Sequence, residues 1–161
     1  MNLRKSNPKF VPPQKPATNL KAKKVEEKKQ KTNDPDCLLV SCSELVPIFS
    51  DNLKLKCDES FLEESAISSI QKSIQKQQNG QGRAYKFIFV DLDDPTLMLG
   101  RFMVSLQKAM PEDDKEFKIQ VFATASTSSD RMLKKCEEVS VKFIPKPIFE
   151  TKLRFILKPY L

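Results

Sequence analysis

The chain contains no histidine and no tryptophan, and only three glycines, Gly80, Gly82 and Gly100, among its 161 residues. Without histidine it cannot itself supply imidazole ligands for zinc, a Ser-His-Asp or Cys-His nucleophile system, or a histidine general base. A phosphohistidine carrier is excluded on the same ground. The glycines have no spacing that makes a P-loop or a G-x-G-x-x-G turn, so nucleotide binding by those routes is excluded. The cysteines Cys37, Cys42, Cys57 and Cys136 form no C-x-x-C pair. The first residues do not read as a secretory leader, so free thiols in a reducing, cytoplasmic compartment are expected. No apolar run approaches the roughly 18 residues needed to cross a bilayer.

What the chain does have is charge, 30% of its residues, unevenly placed. Residues 1–33 carry ten Lys/Arg against two acids, Glu26 and Glu27, and so hold +8. The formal net charge of the whole is +7, which leaves −1 for the rest. The basicity therefore belongs to a segment and not to a domain surface built for nucleic acid. With four prolines in its first sixteen residues (Pro8, Pro12, Pro13 and Pro16) and no apolar helical stripe, the segment 1–35 is expected to be a disordered Lys/Pro-rich tail. A domain over 36–161 follows. The tail reads either as a solvated extension or as an electrostatic tether to an acidic surface such as microtubule tails, nucleic acid or anionic lipid. Lys21-Ala22-Lys23-Lys24 and Lys28-Lys29-Gln30-Lys31 form a weak nuclear signal interrupted by the two glutamates, so nuclear or cytoskeletal association stands beside a cytoplasmic location. No amphipathic apolar face offers membrane insertion.

From Asp36 onward, short apolar runs alternate with longer amphipathic stretches. Cys37–Val40, Tyr85–Val90, Lys118–Ala123 and Val139–Ile144 read as strands buried on both faces. Leu53–Cys57 is a weaker, alternating candidate for an edge strand. Leu62, Ala66, Ile70 and Ile74 fall on one stripe of a helix over about Leu62–Gln78. Phe102, Leu106 and Ala109 mark a second helix after Pro95. Met132, Leu133 and Cys136 mark a third, N-capped by Ser129 or Asp130. Phe149, Leu153, Ile156 and Leu157 mark the last, after Pro147. A short helix after the first strand has to accommodate Pro47 in its opening turn. Five strands alternating with helices predict an α/β fold with a parallel sheet covered on both faces.

In such sheets ligand chemistry gathers at the carboxyl ends of the strands. Ser41-Cys42-Ser43-Glu44 follow the first strand, and Asp91-Leu92-Asp93-Asp94-Pro95 the third. Thr124-Ala125 follow the fourth and Lys146-Pro147 the fifth. A carboxylate, a hydroxyl and an ammonium on three neighbouring strand ends have a coherent use. The first can attack phosphorus, the second can donate to one oxygen of the acyl phosphate, and the third can neutralise another.

Tyr85–Pro95, Ala123-Thr124-Ala125 and Phe143-Ile144-Pro145-Lys146-Pro147, in that order and separation, resemble the receiver (CheY-like response-regulator) domain of two-component phosphorelays. The spacing of Leu55–Ile67 is also similar to the family's second strand and helix, and the resemblance covers about Asp36–Lys158. It implies a flavodoxin-like sheet of order 2-1-3-4-5. It makes Asp91 the phospho-acceptor, Thr124 the switch hydroxyl, Lys146 the phosphate-contacting cation and Phe143 the aromatic switch. It also implies a histidine kinase or histidine phosphotransfer protein as donor, and protein partners on the last strands and helices. The family's acidic pair after strand one, which holds Mg²⁺, is replaced here by Ser41 and Cys42. A hydroxyl and a thiol are poor ligands for so hard a cation. Mg²⁺ is therefore a doubtful cofactor, with Asp91 and the backbone of Asp93 as its remaining ligands.

Two functions of different class are expected from this pattern. The first is a stand-alone receiver-like module, not an enzyme, that accepts a phosphoryl group on Asp91, or descends from one that did. Its output is by protein contacts. The second is a pseudo-receiver, never phosphorylated, kept as an interaction module and tethered by its basic tail.

Overall fold

The computed structural model describes residues 34–112 and 118–161. The expected tail lies outside the described residues apart from Asp34 and Pro35, which belong to the compact unit Asp34–Leu161. Asp34 is tied into that unit where its carboxylate accepts the N–H of Arg83 at 2.9 Å.

Five strands make one parallel sheet: β1 (Cys37–Val40), β2 (Cys57–Ser60), β3 (Phe87–Asp91), β4 (Gln120–Ala125) and β5 (Lys142–Pro145). Their order is β2-β1-β3-β4-β5. Four α-helices accompany them: α1 (Glu63–Gln78), α2 (Leu99–Ala109), α3 (Asp130–Glu138) and α4 (Glu150–Leu157). The two-residue period of a strand sorts its side chains onto opposite faces. Leu38, Val40, Ile88, Val90, Val121 and Ala123 pack against Ala66, Ile70, Phe102, Leu106 and Cys136 of α1, α2 and α3. Leu39, Phe87, Phe89, Phe122 and Ile144 pack on the other face, against Leu45, Phe49 and α4 residues Leu153 and Leu157. The expected doubly covered sheet of order 2-1-3-4-5 is thus the observed one.

β1 is Cys37–Val40, as its apolar run predicts, whereas β3, β4 and β5 depart from their runs in one direction. β3 is Phe87–Asp91, not Tyr85–Val90; β4 is Gln120–Ala125, not Lys118–Ala123; β5 is Lys142–Pro145, not Val139–Ile144. Each lies toward the C-terminus of its run, because hydrogen-bonded pairing continues into the polar residues of the carboxyl edge, as Asp91 pairs in register with Thr124. Val139 instead ends α3, and Ser140 takes a left-handed turn at φ 60°. The edge strand β2 is Cys57–Ser60 and not Leu53–Cys57. It needs no apolar run because only one side of it pairs, to β1, and charged residues such as Asp58 and Glu59 suit an open edge.

Two stripe residues also change place. Leu62 and Phe149 stand at the N-caps of α1 and α4, just before the helical turns begin, and both are exposed. Ser129 caps α3 by accepting the N–H of Met132 at 3.1 Å. The stretch after β1 is not a regular helix. A 3-10 turn at Ser43–Leu45 passes into a π-helical turn at Ile48–Asn52, with Pro47 between them. Proline inside a helical stretch has no N–H to give and crowds the preceding turn, which accounts for the irregular geometry on either side of it.

Candidate functional site

Phe89 and Phe122 are register partners on β3 and β4, and Ile144 of β5 shares with them the face covered by α4. Two residues further along β3 and β4, that same face presents Asp91 and Thr124 at the carboxyl edge, and Lys146 follows the end of β5. The register places Asp91 opposite Thr124, and Thr124 opposite Ile144. The Lys146 N–H bonds the carbonyl of Ala125 at 3.0 Å and so holds the start of the last loop against β4. Beneath this edge lie packed rings, with Phe89 stacked on Phe122 at a centroid distance of 4.8 Å and edge-on to Phe49 at 5.4 Å. The site stands on a packed aromatic floor.

Lys146 is its electrostatic centre. The ammonium donates to Asp91 Oδ2 at 2.7 Å and to Asp93 Oδ2 at 3.0 Å, and lies 3.5 Å from Glu44 Oε1. Partial burial works against its charge, but the hydrogen bonds to Asp91 and Asp93 outweigh that cost and raise its pKa above the ordinary value. Asp91 is 6% exposed, and its Oδ1 accepts the N–H of Asp93 at 2.9 Å. Thr124 is fully buried, and its hydroxyl oxygen has no hydrogen-bond partner among the described residues. Buried hydroxyls are almost always paired, so an unspent donor beside Asp91 marks a place for an acceptor. Lys146 and Glu44 also line a cleft of about 620 Å³ with Leu45, Ser126, Pro147 and Ile148.

The next loop closes over this group from β4. Ser126 donates to Asp93 twice, through its N–H at 3.0 Å and its hydroxyl at 2.7 Å. Those bonds, the hydroxyl first, and then Lys146 hold the Asp93 carboxyl down to about 2.

The end of β1 is built differently. Ser41 has a positive φ of 60°, and its hydroxyl donates to Asp94 Oδ2 at 2.8 Å. Asp94 is held below the ordinary carboxylate range by Thr96 first and by Ser41 after it. Cys42 is 1% exposed and its thiol donates to the carbonyl of Val40 at 3.3 Å. Burial, and then the nearby Asp91 and Glu44 carboxylates, push that thiol well up, so it stays protonated and offers no thiolate. This donor set does not fit Mg²⁺. The two positions after β1 provide no carboxylate, Asp94 is drawn away to Ser41, and an ammonium already sits among Asp91, Asp93 and Glu44. Among the described residues, no group of three or more His, Cys, Asp or Glu side chains is arranged to hold a metal ion.

The structure therefore gathers Asp91, Lys146 and Asp93 directly, and sets Thr124 beside Asp91 on the adjoining strand. Phe143 stands apart from them. It is one residue out of phase with Ile144 and packs, half-buried, with the α1–α3 face. Ser126 was not legible in the sequence as part of the site. Its only signal is a hydroxyl in the loop that leaves the Thr124 strand end.

No protein-family model and no curated protein matches the chain. Among solved structures, the chain is similar to the Vibrio cholerae chemotaxis protein CheY4, at 13% identity over 80% of this chain and 100% of that one, TM-score 0.56. It is similar to a two-component response regulator from Legionella pneumophila, at 16% identity over 78% of this chain and 99% of that one, TM-score 0.56. A CheY-like response regulator receiver domain protein from Methanospirillum hungatei matches at 10% identity over 77% and 90%, TM-score 0.54. At these identities the likeness is one of fold, and the fold is that of CheY-like receiver domains.

Proposed function

We propose that this chain is a receiver-like signalling module in which Asp91 is the phosphoryl acceptor. The observation that carries the reading is the juxtaposition at the β3, β4 and β5 ends: a nearly buried carboxylate, an unspent buried hydroxyl and an ammonium at 2.7 Å. An Asp91 oxygen forms the new bond to phosphorus as the bond from phosphorus to the donor's leaving group breaks, and the leaving group departs with that electron pair. Lys146 counters the charge on the transferred group, and the Thr124 hydroxyl donates to one of its oxygens. These residues contain no histidine, so a phosphohistidine donor lies outside this sequence, in a histidine kinase or a phosphotransfer protein. The output is by protein contacts on the last strands and helices.

Acetyl phosphate tests the reading directly. Intact mass should rise by one phosphoryl group in the full chain, with and without added Mg²⁺, and not in Asp91→Asn. An unchanged mass under both conditions sinks the acceptor role.

The end of β1 favours a second reading. With Ser41 bonded to Asp94 and Cys42 turned to its own strand, the domain would serve as an unphosphorylated interaction module held to an acidic partner by residues 1–33. In that case Asp91→Asn leaves the set of bound partners unchanged, while deletion of 1–33 weakens association more at low salt than at high salt. A deletion without effect on any partner removes the tether.

A further inference from the structure

Three donors at the mouth of the site converge on one side chain. The Lys146 ammonium at 3.0 Å, the Ser126 N–H at 3.0 Å and the Ser126 hydroxyl at 2.7 Å all point at the Asp93 carboxylate. They come from two different loops, those leaving β4 and β5, and the acid they hold comes from a third, leaving β3. Such a fork of charged and neutral donors is what an oxyanion needs, because each donor is positioned before the anion arrives. Here the occupant is supplied by the chain. Thr124, fully buried on β4 one strand from Asp91, keeps its hydroxyl unspent, so the site still has a donor that Asp93 does not satisfy.

We propose that Asp93 is an internal anion that fills the oxyanion site formed by Lys146 and Ser126, and that a tetrahedral oxyanion such as phosphate binds there only by displacing it. The proposal deepens the receiver reading given above, since it describes how the same pocket is kept closed. The chemistry is competition between two anions for one set of donors. With Asp93 seated, the ammonium already serves two strongly held carboxylates, Asp91 at 2.7 Å and Asp93 at 3.0 Å, and neither Ser126 donor is free. With the Asp93 carboxylate removed, all three donors face the space it leaves, next to the Thr124 strand end. Glu44, at 3.5 Å from the ammonium and half exposed, contributes negative charge at the rim but takes no hydrogen bond from Ser126. It separates the effect of charge from the effect of occupancy.

The test titrates inorganic phosphate into the full chain in an Asp91→Asn background and follows the Ser126 amide resonance. No aspartyl phosphate can form in that background, so the result does not depend on whether Asp91 is an acceptor, which the acetyl phosphate experiment decides separately. Adding Asp93→Ala should tighten phosphate binding by about tenfold or more, the worth of one or two charge-assisted bonds. Adding Glu44→Gln instead should change it by less than about threefold. Ser126→Ala on top of Asp93→Ala should reverse most of the gain. Asp93→Ser, which keeps a small polar residue in the loop, should behave as Asp93→Ala does and guards against a local collapse specific to alanine. Equal gains from Asp93→Ala and Glu44→Gln would overturn the proposal by reducing it to net charge. So would an Asp93→Ala or Asp93→Ser protein that binds phosphate no better than its parent.

Discussion

The two halves of the sheet's carboxyl edge make different use of the same architecture. On the β3–β5 side, Asp91 and Thr124 stand in register on adjoining strands, and the Lys146 ammonium, just past β5, reaches Asp91 at 2.7 Å. On the β1 side, a serine in a left-handed turn and a buried thiol occupy the positions after the strand, and no carboxylate is offered. The difference lies in the side chains and in the left-handed backbone at Ser41. On the β3–β5 side one internal cation holds several acids, and the β1 side, without acids of its own, binds Asp94 through the Ser41 hydroxyl. A parallel sheet of this order can therefore gather an acid, a hydroxyl and a lysine at one part of its carboxyl edge while the residues after β1 offer no carboxylate.

Removing the cation should break the contrast most severely. Lys146→Ala leaves Asp91, nearly buried, without its counter-charge and should cost about 3 kcal/mol in urea unfolding. Asp91→Asn in the same chain should recover most of that loss, and a Lys146→Ala protein as stable as its parent would show that the pair is incidental. Giving the poorer half an acid should sharpen the contrast in the opposite sense. Cys42→Asp adds a carboxylate beside Asp91 and Glu44, so the variant alone should be less stable than the parent. Mg²⁺ at about ten times its dissociation constant should then return about 1.4 kcal/mol. The same Mg²⁺ should leave the melting temperature of the unaltered chain where it was.

A smaller change tests how far Ser41 holds the β1 end to Asp94. Ser41→Ala removes a part-buried hydrogen bond of 2.8 Å and should cost about 1 kcal/mol. The least of these effects lies on the acid side. The Asp93 carboxyl is held at about 2, below its ordinary 3.8, so its contribution is complete above pH 4 and is lost as pH falls toward 2. The Ser126 amide shift should follow that low midpoint in the parent chain, and a midpoint near 3.8 would mean that the Ser126 contacts are not formed in solution.

The cysteines repeat the lesson that neighbours decide chemistry. Cys37 and Cys57 are register partners across β1 and β2, yet burial raises both thiols, Cys57 to about 11. They behave as packing groups.

Much of this was legible in the chain before its fold was seen. The apolar runs located β1, β3, β4 and β5 to within a few residues, and the 3.6-residue stripes located the helices, because burial imposes those periods on any sequence that must form a core. The runs placed β3 and β4 about two residues too early for a physical reason. A strand's functional end carries polar residues such as Asp91 and Thr124, and hydrogen-bonded pairing does not depend on their hydrophobicity. β2 was misplaced because an edge strand with one partner is free of the apolar requirement.

The sequence by itself determined the composition of the site: one acid, one hydroxyl and one lysine after successive strands, no histidine anywhere, and no acids at positions 41 and 42. Only the tertiary structure decided which of the neighbouring acids Lys146 serves, that Ser126 closes on Asp93, and that Asp94 turns to Ser41. Those choices depend on loop paths that bring residues 53 and 55 apart in the chain to within hydrogen-bonding distance. Local patterns are set by the periodicity of helix and strand, whereas contacts between loops are set by where the whole sheet delivers their ends.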